Sequence, residues 1–81
     1  MQVTLLYFAA LRDCRGSSEE RMTLPEEVAN VEELISYLDT QPSLNGKLKS
    51  VRVAVNESFA EPNVVLHEGD VVALIPPVQG G

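Results

Sequence analysis

Val71-Val72-Ala73-Leu74-Ile75-Pro76-Pro77-Val78-Gln79-Gly80-Gly81 starts as a strand and ends as something that cannot pack. Its first five residues are the apolar, β-branched run of a strand buried in a sheet. Pro76 and Pro77 stop that strand, because proline lacks the N–H a ladder needs and biases Ile75 towards an extended conformation. Beyond them stand Val78, Gln79 and two residues without side chains. The expectation is a globular unit over 1–75 and an extended tail over 76–81.

Such a tail offers an accessible α-carboxylate on a thin arm. From Pro76 onward the chain can span roughly 20 Å at full extension. Gly80 and Gly81 have no Cβ, so their backbone can pass a constriction and approach another protein's reactive groups. Pro76 and Pro77 hold the base of the arm extended, which lowers the entropy lost on threading it into a slot. A free carboxylate is a poor electrophile and needs activation by another protein. The tail therefore reads as a substrate or a carrier handle.

The strand that roots this tail needs neighbours, and Gln2-Val3-Thr4-Leu5-Leu6-Tyr7-Phe8 supplies the first. If Val3, Leu5 and Tyr7 face the core, then Thr4, Leu6 and Phe8 share the other face. By the same alternation Ala73 and Ile75 lie on that outer face of the last strand. With the two strands side by side, Leu6, Phe8, Ala73 and Ile75 form an apolar patch at the tail's root, which Phe59 extends. A patch in that place fits a partner. Ala9 to Arg15 predicts a short helix stopped by Gly16, and Ser18 to Leu24 an edge strand carrying Glu19, Glu20 and Arg21.

Val31 to Thr40 is the clearest element. Asn30 and Glu33 have capping-box spacing, and Val31, Leu34, Ile35 and Leu38 make one apolar stripe. Leu44 and Leu48 anchor an irregular crossover. Val51, Val53 and Val55 alternate with Arg52 and Ala54 as a half-buried strand, with Asn56-Glu57 as a tight turn leading to Phe59. Val64 to Leu66 predicts a brief strand, turned by His67-Glu68-Gly69-Asp70 into the last one. One helix across a mixed four- or five-stranded sheet is the economical way to bury these faces. The element order is that of the α+β β-grasp, or ubiquitin-like, fold.

Composition narrows function. The chain of 81 residues is 44% hydrophobic and 22% charged, ordinary material for one domain. A formal net charge of −6 argues against nucleic acid, whose phosphates need a basic stripe. Lys47, Lys49 and Arg52 are the one basic cluster, and a solvated face accounts for them. No apolar run approaches the length of a membrane span, and Met1 leads straight into a strand, so no signal peptide and a cytoplasmic location are expected. A single cysteine, Cys14, fits a reducing compartment. Cys14 reads as a packed thiol and His67 as a solvated turn residue, with no second His or Cys to complete a metal site. The pairs Glu19-Glu20, Glu26-Glu27 and Glu32-Glu33 read as solubilising and capping charges. No active site can be assembled from these residues, so a catalytic role of the chain's own is not expected.

Four stretches carry a family likeness: Leu6-Tyr7-Phe8-Ala9-Ala10-Leu11-Arg12-Asp13, Ala54-Val55-Asn56, Leu66-His67-Glu68-Gly69-Asp70-Val71-Val72, and the Pro-Pro-Val-x-Gly-Gly tail. With them the chain resembles the small subunits of molybdopterin synthase, ubiquitin-like sulfur carriers, over nearly its whole length. Val51 is smaller than the usual residue there and Cys14 is not a family feature. The resemblance implies that an ATP-dependent enzyme related to the ubiquitin activators adenylates Gly81. A sulfur donor then displaces AMP and leaves a thiocarboxylate. Inserted into the large subunit, in a heterotetramer of two small and two large chains, the tail would deliver sulfur to cyclic pyranopterin monophosphate. No permanently bound cofactor is implied. Gly81 would carry the sulfur, Gly80 give clearance, and Pro76 and Pro77 direct the arm. The alternatives are a carrier for thiazole synthesis or transfer-RNA thiolation, and a ubiquitin-like interaction module whose tail is never activated.

Overall fold

The computed structural model describes residues 1–77, so the expectations placed on Gly80 and Gly81 lie outside the described residues. Strand β1, Gln2–Tyr7, alternates as its sequence requires, with Val3, Leu5 and Tyr7 at most 2% exposed. It stops one residue earlier than the apolar run suggests. Ala9 takes a φ of 51°, a left-handed conformation that costs a residue with a Cβ, and turns the chain into helix α1, Ala9–Arg15. Phe8 stays extended as the cap residue of that helix. Gly16 closes α1 with a φ of 79°, donating its N–H to the Arg12 carbonyl at 2.8 Å. Strand β2, Glu19–Thr23, then returns antiparallel to β1.

Helix α2, Val31–Asp39, carries the expected cap. Asn30 Oδ1 accepts from the Glu33 N–H at 2.8 Å, and Glu33 Oε1 accepts from the Ala29 N–H at 2.9 Å. The reciprocal bond thus lands one residue before the usual capping-box position. Val31, Leu34 and Leu38 are buried, and Ile35 is packed at the core's margin. Leu44 and Leu48 anchor the crossover, both buried as expected.

Strand β3, Arg52–Val55, and β4, Ser58–Phe59, form a hairpin through Asn56 and Glu57, whose φ values of 50° and 73° are those of a type I′ turn. Ala54, expected to face outward from a half-buried strand, is only 8% exposed. Its methyl group sits mid-sheet with Ala73 opposite on one side and Phe59 on the other. The brief strand expected over Val64 to Leu66 is a single bridge between Val65 and Asn30. The partner backbone turns into α2 directly after Asn30, so no ladder can lengthen there. Leu66 still reaches the core at 2% exposure.

Strand β5, Val71–Ile75, lies parallel to β1 and antiparallel to β3, in the order β2-β1-β5-β3-β4. The first and last strands are therefore side by side at the sheet's centre. This mixed five-stranded sheet with its crossing helix is the β-grasp arrangement.

Strand β2 is an edge of the sheet, as expected, but Glu20 on it is more than a solubilising charge. Glu20 sits opposite Leu5, on the core side of β2. Its carboxylate accepts from the Tyr7 hydroxyl at 2.7 Å and from Arg15 Nε and Nη2 at 2.9 and 3.1 Å. Arg15 Nη1 also donates to Ser43 Oγ at 3.0 Å. The polar end of a core tyrosine is thereby satisfied at the sheet's margin, as burial demands.

Candidate functional site

Strand register assembles the outer face from four segments. Leu6 pairs with Ala73, Ala73 with Ala54, and Ala54 with Phe59, so the four side chains form one row across β1, β5, β3 and β4. Directly opposite residues share a face of the sheet, and this row lies on the face away from α2. A second row runs at the tail's root, where Ile75 pairs with Arg52 and Phe8 follows the end of β1. Phe8 is 46% exposed and Phe59 65% exposed, whereas Leu6, Ala73 and Ile75 are half-buried by their neighbours. Pro76 and Pro77 continue directly from Ile75. By register Leu6, Ala73, Ile75 and Phe59 lie on one face, and Phe8, extended and exposed, follows directly after β1.

The far end of β5 is fixed by a polar lock. Asn56 Oδ1 accepts from the Val71 N–H at 2.9 Å, and Asn56 Nδ2 donates to Asp70 Oδ1 at 3.0 Å. The Asn56 N–H in turn donates to the Val71 carbonyl at 2.8 Å. Two of the stretches that carry the family likeness, one ending at Asn56 and one turning at Asp70, meet here. Their meeting sets where β5 begins, and hence where it delivers Ile75 and the tail.

A family model described as the ThiS family matches residues 5–81. The chain belongs to the ThiS family. It is 32% identical over 83 residues to a molybdopterin synthase sulfur carrier subunit of Chlamydomonas reinhardtii, covering 100% of both chains. Among solved structures it is similar to SAMP1 of Haloferax volcanii, at 26% identity and a TM-score of 0.83 over 100% of both chains. It is also similar to a chain in the complex of subunits 1 and 2 of the molybdopterin-converting factor of Helicobacter pylori. That match has 26% identity and a TM-score of 0.72, again over 100% of both chains.

In this ThiS-family chain the remaining candidates stand apart from the outer face. The His67 side chain is 77% exposed, with its Nδ1 4.0 Å from Asp70, while its backbone N–H donates to Asp70 Oδ2 at 2.8 Å. Cys14 is a free, half-buried thiol on α1. Among the described residues no group of three His, Cys, Asp or Glu side chains could hold a metal ion. No helix there is long and apolar enough to cross a membrane.

Sequence reasoning missed Arg52 as a member of the outer face. Read with Lys47 and Lys49 it looked like one of three solvated charges. In the structure its guanidinium carbon stands 4.5 Å from the centroid of the Phe59 ring. The signal was present in the alternation, which puts Arg52 on the face of Ala54. A two-residue turn at Asn56-Glu57 then sets Phe59 opposite Ala54, making Arg52 and Phe59 diagonal neighbours.

Proposed function

We propose that this chain is the sulfur carrier subunit of a molybdopterin synthase, acting in the cytoplasm, with its outer sheet face docked on the large subunit and its tail inserted there. The observation that carries the reading is an apolar face built beside the root of a Gly-Gly tail, in a chain alike over its full length to sulfur carrier subunits. The complex of subunits 1 and 2 in Helicobacter pylori supports a large-subunit partner for a chain of this fold.

In the proposed cycle the Gly81 carboxylate attacks the α-phosphorus of ATP on an activating enzyme, releasing pyrophosphate and forming an acyl adenylate. A sulfide-level donor then attacks the acyl carbon and AMP leaves, so one C–O bond is exchanged for one C–S bond without net redox change. The thiocarboxylate sulfur is largely ionised at neutral pH and nucleophilic, so docking delivers a reagent. The carrier supplies the reagent and its direction; the groups that act on the pterin belong to the large subunit.

Intact-mass measurement after incubation with ATP, sulfide and the activating enzyme tests the first half. A carrier gains the mass difference between sulfur and oxygen. An unchanged mass with an enzyme that loads another carrier would leave only an interaction module.

A further inference from the structure

The outer face is apolar along both rows except at one position. Arg52 pairs with Ile75 at the tail's root and stacks on Phe59, so it stands between two members of the patch, where the patch borders the cleft between β3, β4 and α2. On the strands the other charged residues of this face, Glu19 and Arg21, lie on β2 at the opposite edge of the sheet, while Glu32 and Glu61 border the same cleft as Arg52 and Phe59 without forming an ion pair with Arg52. Arg21 there donates to Gln2 Oε1 at 3.4 Å. Among the described residues the arginine or lysine ion pair is Arg15 with Glu20, and Arg52 is not part of it.

We infer that Arg52 is a specificity-determining residue of this face, and that the partner surface covering it presents a carboxylate. The inference rests on the reading that this face docks the large subunit. Any surface that buries Ile75 and Phe59 must also take the guanidinium between them out of water. An unpaired charge in that position opposes association, because its lost hydration is not replaced. A carboxylate replaces it, and the planar fork of arginine suits two parallel hydrogen bonds. The Phe59 ring holds the fork's plane before docking, so less freedom is lost when the pair forms. A partner with an apolar or basic residue at this point is rejected, and the same contact thus selects among possible large subunits.

Calorimetric titration of the full chain against its large subunit tests this with four variants. Arg52→Met keeps an apolar stem of similar length over Phe59 but leaves the partner's carboxylate unpaired, so binding should weaken about thirtyfold or more. Arg52→Glu should weaken it by at least about a further tenfold, since two like charges then meet. Arg52→Lys keeps the charge without the fork and should fall between wild type and Arg52→Met. Phe8→Ala reports separately on the face. If Phe8→Ala weakens binding while Arg52→Met binds as tightly as wild type or tighter, no carboxylate faces Arg52 and the inference is overturned alone. If Phe8→Ala also binds normally, the docking face is elsewhere and both readings fall. Thermal melts of all four should stay near wild type, which shows that any loss is one of binding.

Discussion

The Tyr7 hydroxyl donates to Glu20 Oε1 at 2.7 Å, tying the buried centre of the sheet to its outer edge strand. Arg15 completes the cluster and holds the Glu20 carboxyl below its ordinary value, against the opposing effect of burial. Burial first, and then the neighbouring carboxylate, push the Tyr7 phenol well above its ordinary value.

The two shifts limit stability at both ends of the pH scale. Glu20 is depressed in the fold, so its contribution is complete above its ordinary 4.5 and is lost as pH falls through the lower folded value. Tyr7 is raised, so the unfolded chain releases that proton near 10 while the folded chain keeps it, and stability falls as pH rises beyond 10. Glu20→Gln should cost about 1–2 kcal/mol near neutrality and flatten the acid limb. Tyr7→Phe should cost about 1 kcal/mol and flatten the alkaline limb. Denaturant unfolding from acid to alkali checks both. Wild-type limbs in either variant would show that other groups set them.

The lock at the other end of β5 makes a separable claim. Asn56 has a φ of 50° and joins Val71 and Asp70 through its side chain. Asn56→Ala should lose both the bonds and the ease of that backbone conformation, costing about 2–3 kcal/mol. Asn56→Gly keeps the conformation and loses only the bonds, so it should cost about 1 kcal/mol less than the alanine variant. Thermal melts that rank glycine at or below alanine would remove the conformational half of this account.

Patterns confined to one element were legible in the chain. Val3, Leu5 and Tyr7 alternate because a strand does, and Val31, Leu34 and Leu38 recur because a helix does. The outer face was legible in part, since Leu6, Phe8, Ala73 and Ile75 needed only the guess that first and last strands are neighbours. Alternation alone sets Arg52 and Ala54 on one face, but what they meet there required the register of β3 against both β4 and β5, which pairs residues far apart in the chain. The sequence shows Glu20 only as a solubilising charge, because its partner Arg15 sits on a different element, and alternation separates it from Glu19 without showing which of the two turns towards the core. The strand expected over Val64 to Leu66 failed because its neighbour turns away, a fact of the partner and not of the segment.

The terminal residues carry the chemistry in the proposed cycle, and their substitution should spare the fold. Among the described residues the buried core ends at Leu74, so deleting Gly81 or adding a residue after it should leave the melting temperature unchanged. Thiocarboxylate formation and sulfur transfer should both be abolished. Unprocessed, extended chain with wild-type transfer would sink the assignment of Gly81.

Gly80 tests clearance independently of attachment. Gly80→Val adds a branched side chain where the arm should pass a narrow channel. Binding of the globular part should persist, because the docking face is untouched, while transfer is lost. A valine variant that transfers sulfur normally would mean that the channel is wide.

Phe8 and Leu34 belong to opposite sides of the sheet, and their alanine variants should fail in opposite assays. Phe8 is 46% exposed on the outer face, whereas Leu34 is fully buried on the stripe of α2. Covering an aromatic of that size contributes on the order of 1.5–3 kcal/mol to docking. A residue near the centre of an interface can weigh more than its area suggests. Phe8→Ala should therefore weaken binding to the large subunit at least about tenfold, since ~1.4 kcal/mol is a factor of ten. Its stability should change little, because the Phe8 carbonyl that accepts from the Leu11 N–H at 3.1 Å is backbone and survives the substitution. Leu34→Ala opens a cavity in the core and should cost about 2–5 kcal/mol of folding stability. Where it remains folded its docking face is intact, so its affinity should stay near wild type. Melts and calorimetric titrations of the two variants decide the matter. Phe8→Ala melting like a core variant and binding normally would mean that the outer face serves the fold and not a partner.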